Sequence, residues 1–315
     1  MILYIVVPCY NEEEVLPETS RRLSEKLCDL IGRGEISDKS RIVFVDDGSK
    51  DSTARIIEEL HSENRLFGGV FLSKNRGHQN ALLAGMMTAM GKCDVCVSMD
   101  ADLQDDINAI DKMLEKYNEG NDIVYGVRSS RATDSAFKRS TAHAFYKMMS
   151  AMGAEVVYDH ADYRLMSNRA LEALSQFSEV NLFLRGMVPL VGFKSTTVEY
   201  TRGERFAGKS KYPLKKMLAF AFDGITSFSV KPIRLISVFG IIIFLAAAVM
   251  LIYSLIRHFT GNTVSGWTSL IVSVWALGGL QLFAIGIIGE YIGKIYLETK
   301  RRPRYIIEKT LIDEQ

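Results

Sequence analysis

The chain has 315 residues, 48% hydrophobic and 24% charged, with 38 basic against 37 acidic side chains. It is long enough for one large domain or two smaller ones, too apolar for disorder, and its six prolines exclude a collagen-like or Pro-rich chain. Four cysteines, Cys9, Cys28, Cys93 and Cys96, are too few for a disulfide scaffold and point to a reducing compartment.

From the N-terminus, short apolar runs alternate with helical patterns. Ile2–Val7, Ile42–Val45, Gly69–Leu72, Val95–Met99 and Ile123–Val127 read as buried strands, with helical spacing over 12–33, 52–65, 78–91 and 106–119. This βαβα order predicts an α/β fold with a mostly parallel sheet and helices on both faces, whose ligands sit outside the carboxyl ends of the strands. Those ends are polar. The first is followed by Pro8-Cys9-Tyr10-Asn11-Glu12 and the second by Asp46-Asp47-Gly48-Ser49. Lys74-Asn75-Arg76-Gly77-His78-Gln79 follows the third, and Asp100-Ala-Asp102-Leu-Gln104-Asp105 the fourth; Arg128 and Arg131 follow the fifth. Two carboxylates two apart at a strand end can project to one point and suit a hard cation, Mg²⁺ or Mn²⁺, completed by a diphosphate. The bland alternative is a solvated acidic turn. No GxGxxG follows the first strand and no GxxxxGK[ST] occurs, so dinucleotide oxidoreductases and P-loop NTPases lose their main support. Cys93-x-x-Cys96 lacks a second ligand pair and reads as two buried thiols, and the five histidines show no metal spacing, so surface or core roles are their default.

Towards the C-terminus two 22-residue stretches, 235–256 and 268–289, carry no charge. A bilayer core of about 30 Å needs about 20 helical residues. Both stretches read as membrane spans, the alternative being buried core helices. Lys231 and Arg234 precede the first; Lys294, Lys300, Arg301, Arg302 and Arg304 follow the second; the connecting 257–267 holds only Arg257 and His258. The positive-inside bias places both termini in the cytoplasm. The N-terminus has no basic region before its apolar run, so it does not read as a signal peptide. Residues 212–230 mix aromatics with lysines and read as an interfacial amphipathic helix or a plain surface helix. The organisation expected is a cytoplasmic catalytic domain over 1–211, a juxtamembrane segment over 212–234, a hairpin over 235–289 and a cytoplasmic tail over 290–315. Charge follows the same division. Residues 1–127 hold 14 basic and 23 acidic side chains, 128–216 hold 15 and 8, and 217–315 hold 9 and 6. A local anion site fits this asymmetry; a general nucleic-acid binder does not.

Read together, PCYNEEE (8–14), VDDGSKDST (45–53), SKNRGHQNALLAGM (73–86) and MDADLQD (99–105) resemble family 2 glycosyltransferases of the glycosyltransferase-A fold. YGVRSSR (125–131), DYRLMSNRA (162–170), GERFAGKSKYPLKKM (203–217) and GEYIGKIYLETKRRPRY (289–305) narrow the resemblance to the polyprenyl-phosphate glycosyltransferases: the bactoprenol glucosyltransferase group and dolichyl-phosphate mannose synthases. The resemblance implies inverting transfer of a hexose, UDP-glucose being the favoured donor, to undecaprenyl or another polyprenyl phosphate. UDP-N-acetylglucosamine and GDP-mannose stand as other donors. A processive polysaccharide synthase and a non-enzymatic nucleotide-sugar sensor are the other readings. It implies that Pro8, Tyr10, Asn11, Glu12 and Asp47 hold the base and ribose, with Lys74 or Arg76 near the base or diphosphate. Asp100 would sit by the ribose and the metal, with Asp102 and Gln104 completing the divalent-metal site. Arg128, Arg131, Lys138 and Arg139 would hold the acceptor phosphate, and Lys209 and Lys211 would belong to a loop closing over the donor. Asp162 occupies the position of the catalytic carboxylate, with Asp102 and Arg128 beside it in the reaction. A phosphate nucleophile has a second pKa of about 6 and is already ionised, so Asp162 is expected to orient an Arg or the sugar rather than act as a base. A homo-oligomer such as a tetramer, and a flippase partner, are implied by the family alone; no nucleic-acid partner is.

Overall fold

The computed structural model describes residues 1–129, 160–179, 182–201, 203, 231–259 and 266–312. In the first part of the chain β1 (Leu3–Cys9), β2 (Arg41–Asp46), β3 (Phe67–Leu72), β4 (Val95–Ser98) and β5 (Ile123–Arg128) alternate with four helices. These are α1 (Leu16–Gly32), α2 (Thr53–Glu63), α3 (His78–Ala89) and α4 (Ala109–Asn118). All five strands and four helices overlap the stretches that the apolar periodicity predicts. β6 (His160–Ser167), α5 (Asn168–Ser175), α6 (Leu184–Leu190) and β7 (Ser195–Tyr200) follow, then two long helices, α7 (Lys231–Phe259) and α8 (Trp267–Lys300), and a last strand, β8 (Ile307–Leu311).

The eight strands form one sheet in the order β7-β5-β6-β4-β1-β2-β3-β8. The pairs β1–β2, β1–β4, β2–β3 and β5–β7 are parallel; β6 is antiparallel to both β4 and β5, and β8 is antiparallel to β3. Successive side chains of a strand face opposite sides, which splits the core in two. Leu3, Ile5 and Val7 of β1 pack with Leu23 and Leu27 of α1, Ile57 of α2 and Ile110 of α4. Tyr4 and Val6 pack on the other face with Leu82 of α3, Leu171 of α5 and Met187 of α6. α3 lies very close to the sheet: a Cβ on Gly85 would come within 2.4 Å of Val6 and 2.6 Å of Val45. Cys93 and Cys96 are free and buried, and burial pushes the Cys93 thiol up to about 12, so they are inert core residues rather than ligands.

Three features depart from the simplest reading of the sequence. The helix expected from residue 12 begins at Leu16, because residues 11–14 are drawn across to the β2 loop: Asn11 adopts φ +53°, and the Glu12 amide donates to Thr53 Oγ1 at 2.9 Å. An antiparallel strand, β6, is inserted between β4 and β5. Finally, the residues after 290 are not a plain tail. α8 runs on to Lys300, the chain reverses at Arg301 in the left-handed region, and β8 adds itself to the outer edge of β3. Arg304 donates to the Phe177 carbonyl at 2.6 Å, and Lys309 pairs with Glu58 at 2.7 Å.

The described apolar side chains of α7 and α8 lie outside the core, as Val249 (66% exposed) and Leu282 (72%) illustrate, so these are not core helices of this chain. By length and composition one described segment, Leu277–Lys300, is long and apolar enough to cross a bilayer.

β8 covers an edge that would otherwise expose the apolar run FGGVFL. Ending the chain after Lys300 is therefore expected to give a protein that associates through β3. The exposed Lys309–Glu58 pair accounts for at most about 1 kcal/mol of the loss. Size-exclusion chromatography in detergent checks this: the truncated chain moves to large species, whereas Lys309→Ala stays with the full-length profile.

Candidate active site

The polar loops after β1, β2 and β3 are laced together by hydrogen bonds. Asn11 Oδ1 accepts from the Lys50 amide at 2.8 Å, and the Asn11 amide donates to Ser49 Oγ at 3.0 Å. Asp47 accepts from the Arg76 amide at 2.6 Å and the Gly77 amide at 2.9 Å, so its two oxygens hold the 74–77 loop against β2. Burial raises the Asp47 pKa and those two amides oppose the rise. Gly48 sits beneath this loop at φ +65°, and a Cβ there would come within 2.7 Å of the Asn75 nitrogen, so only glycine fits. Pro8 is buried in β1 opposite Val45, Tyr10 is exposed at the rim, and Lys74 points to solvent while Arg76 is half-buried.

The second group forms where β6 runs beside β4. Ser98 pairs with Arg164, and the Ser98 hydroxyl donates to the Asp162 carbonyl at 2.6 Å. This register brings Asp162 next to Asp100 although 62 residues separate them in sequence. Asp162 is caged. Arg164 donates to its Oδ1 at 2.7 Å, Arg185 of α6 donates to Oδ1 at 3.2 Å and to Oδ2 at 3.1 Å, and His78 Nε2 lies 3.7 Å from Oδ2. Burial alone would raise its pKa; Arg185, His78 and Arg164 instead hold it well below the usual carboxylate range. His78, the first residue of α3, also lies 3.4 Å from Asp100 Oδ1. Burial works against its charge, but Asp162 and Asp100 raise its pKa.

Asp100 is in the opposite condition. Its side chain is 39% accessible, yet Oδ1 is buried without a hydrogen-bond partner among the described residues. Enclosure raises its pKa and His78 opposes the rise, while the Asp162 and Asp102 charges add to it. Asp102 Oδ1 accepts from the Gln104 amide at 3.2 Å, and Leu103 between them is held at φ +58°, a costly conformation for a side chain of its size. Among the described residues no three His, Cys, Asp or Glu side chains are placed to hold a metal ion by themselves. An orphaned carboxylate oxygen crowded by like charges does fit a cation, provided that further oxygens come from a ligand.

The third group joins β5 and β7. Arg128 stands opposite Tyr200, and the Tyr200 hydroxyl donates to Asp105 Oδ1 at 2.5 Å. Burial pushes the Asp105 carboxyl up to about 6, with Asp100 adding to the rise. Burial opposes the Arg128 charge, but Tyr200 and Asp105 carry its pKa above the usual value. Arg131, Lys138, Arg139, Lys209 and Lys211 lie outside the described residues.

His78, Asp105, Arg164, Arg185 and Tyr200 were not predicted as site residues. His78 and Asp105 sit inside polar runs already noted at the strand ends, so their placement was readable; the default surface or core role for His78 does not hold, since it bridges two carboxylates. A lone arginine in the apolar NLFLRGMVPL was the only signal for Arg185. Tyr200 gave none.

The family model described as Glycosyl transferase family 2 matches residues 4–175. The uncharacterized glycosyltransferase YkoT of Bacillus subtilis (strain 168) is 55% identical over 314 residues, covering 100% of this chain and 93% of that protein. The SfII prophage-derived bactoprenol glucosyl transferase of Shigella flexneri is 41% identical over 318 residues and 98% of both chains. Among solved structures, the mannosyltransferase PcManGT of Pyrobaculum calidifontis in complex with GDP-Man and Mn²⁺ aligns with a TM-score of 0.44 at 15% identity, over 92% of this chain and 86% of that one. With its α/β fold, mostly parallel sheet and matched motifs, the chain belongs to glycosyl transferase family 2 and is a transferase.

Proposed function

We propose that the protein transfers a hexose, from UDP-glucose in the favoured reading, to undecaprenyl or a related polyprenyl phosphate at a membrane surface. UDP-N-acetylglucosamine and GDP-mannose are the alternative donors. The observation that carries the reading is the pairing of two groups without hydrogen bonds, beyond β4 and at the end of β5, on either side of β6. Among the described residues Asp100 Oδ1 is buried without a hydrogen-bond donor, although His78 lies 3.4 Å away, and Arg128 Nε–H is buried without an acceptor. A cation-bridged diphosphate suits the first and a phosphate monoester the second. Near-full-length similarity to a bactoprenol glucosyl transferase supports the same acceptor.

In this reading Asp100 and Asp102, with Gln104, hold Mg²⁺ or Mn²⁺, which when bound neutralises charge on the leaving diphosphate. Pro8, Tyr10, Asn11, Glu12 and Asp47 border the nucleotide, with Lys74 and Arg76 beside it and Lys209 and Lys211 closing over it. Arg128, helped by Arg131, Lys138 and Arg139, binds and orients the acceptor phosphate. A phosphate oxygen forms the new bond to the anomeric carbon as the bond to the nucleoside diphosphate breaks on the opposite face, inverting the centre. The phosphate needs no base, since its second pKa is about 6. Asp162 accordingly fixes Arg185 and His78 around the sugar and pyrophosphate rather than taking a proton.

A polyprenyl tail stays in the bilayer, at about 0.8 kcal/mol for each buried CH₂, so the site must come to the headgroups. Spans over 235–256 and 268–289, an interfacial 212–234 segment and cytoplasmic termini would hold it there. Assembly as a tetramer and hand-over to a flippase belong to the same reading. The test is transfer of radiolabel from a panel of nucleotide sugars into the lipid extract of vesicles carrying undecaprenyl phosphate and the purified protein. One sugar is expected to label the lipid, with loss of label on chelation by EDTA. No label from any sugar overturns the proposal.

A further inference from the structure

We infer that Tyr200 and Asp105 are positioning residues that aim Arg128 at the acceptor phosphate and tie it to the loop carrying Asp100 and Asp102. The inference rests on the acceptor role proposed for Arg128.

The geometry is a directed relay. Arg128 stands opposite Tyr200 in the β5–β7 pair, where the Tyr200 hydroxyl and the Asp105 carboxylate favour its charge, and that hydroxyl donates to Asp105 Oδ1 at 2.5 Å. Tyr200 and Asp105 are both buried, so neither is open to bind substrate itself. The Tyr200 ring is fixed independently. It stands edge-to-face on Tyr163, with centroids 5.3 Å apart at 84°, and the Tyr163 hydroxyl donates to the Asp106 carbonyl at 2.9 Å. Backbone bonds pin the same place: the Ser129 amide donates to the Tyr200 carbonyl at 2.9 Å, and the Gly203 amide to the Gln104 carbonyl at 2.8 Å. The end of β7 is thus stitched both to the base of Arg128 and to the 100–105 loop.

Tyr200 also explains an otherwise costly arrangement. A half-buried arginine keeps its charge only beside an acceptor, and the Tyr200–Asp105 pair supplies one while leaving Nε–H unspent among the described residues. Held on one side, the guanidinium presents its remaining donors in a fixed direction, which is the preorganisation that phosphate capture needs. A tyrosine that only filled the core would need no hydroxyl.

The test uses the full chain in lipid nanodiscs and two readouts: equilibrium binding of farnesyl phosphate, and sugar transfer from the same nucleotide-sugar panel. Tyr200→Phe keeps the ring on Tyr163 and removes only the relay. It is expected to weaken farnesyl phosphate binding about fivefold, the size of one hydrogen bond. Arg128→Ala is expected to weaken it at least about tenfold, and Tyr200→Phe added to Arg128→Ala to weaken it no further. Asp105→Ala, which breaks the relay at its other end, is expected to match Tyr200→Phe and likewise to add nothing to Arg128→Ala. Binding by both Tyr200→Phe and Asp105→Ala within about 1.5-fold of wild type, or double variants that fall by the product of the singles, would overturn the inference. Relay-dependent binding without transfer by the wild-type protein sinks the proposed function and leaves the relay standing. Transfer by the wild type with no effect of the relay variants does the reverse, and a wild type that binds no farnesyl phosphate sinks both.

Discussion

Asp162→Ala is expected to be the most destabilising single change at the site, costing about 3–5 kcal/mol. Arg164 is completely buried, and Asp162 is the carboxylate that it pairs with, at 2.7 Å. Removing Asp162 strands that cation in the core and releases Arg185 and His78 together. A thermal melt of the full chain in detergent checks the stability. Asp162→Asn separates structure from chemistry, because the amide keeps an oxygen for Arg164 and most of the shape. Its expected transfer is reduced but substantial, with the pH profile of the wild type between pH 6 and 8. The sign follows from the lowered pKa. A carboxylate held below its unfolded value of about 3.9 lends stability that is fully present above that value and is lost as pH falls through the lower folded one. Asp162 therefore stays ionised, and titrates nothing, across the working range. A base would behave otherwise: Asp162→Asn would remove nearly all turnover and abolish a limb of the profile.

The caged state of Asp162 was foreseeable only in part. The expectation that it orients an arginine or the sugar rather than taking a proton follows from acceptor chemistry alone, and Arg164 lies two residues on in DYRLM. What the sequence hides is β6. Its residues alternate too weakly to mark a strand, and its insertion between β4 and β5 is decided by long-range pairing rather than by local propensity. That insertion is what sets Asp162 beside Asp100. The strands β1 to β5 were readable because each is an apolar run ended by polar residues, and a parallel sheet gathers such ends on one edge. β8 escaped for a different reason. Its side chains are mostly exposed, so IEKTL carries no burial signal, and a basic run after an apolar helix reads first as a membrane flank. Tyr200 illustrates the limit on sites: a buried tyrosine at a strand end looks like core until the partner of its hydroxyl is known.

Asp100→Asn is expected to separate activity from stability in opposite directions. In the absence of a cation Asp100, with one oxygen buried, faces Asp162 and Asp102 and is opposed by the charges of His78 and Arg185. Neutralising it removes the cost of enclosing a charge and two repulsions, at the loss of a 3.4 Å contact that His78 partly recovers from Asp162. The variant is therefore expected to melt at the same temperature as the wild type or above it, as at other sites where function holds like charges together. Transfer, by contrast, is expected to fall by about 10²–10³, the range that several kcal/mol of charge stabilisation on a leaving group commands. Two measurements on one preparation decide the matter. Millimolar Mn²⁺ with nucleoside diphosphate should raise the wild-type melting temperature and leave that of Asp100→Asn unmoved, and sugar transfer should be lost in parallel. A variant that melts well below the wild type would mean that Asp100 is a structural partner of His78. Equal stabilisation of both proteins by the cation would place the ion elsewhere. The Asp100 oxygen beyond β4, which among the described residues has the His78 ion-pair contact but no hydrogen bond, has a purpose only if both effects appear together, because a buried acceptor without a hydrogen bond is retained against its own cost when a ligand completes it.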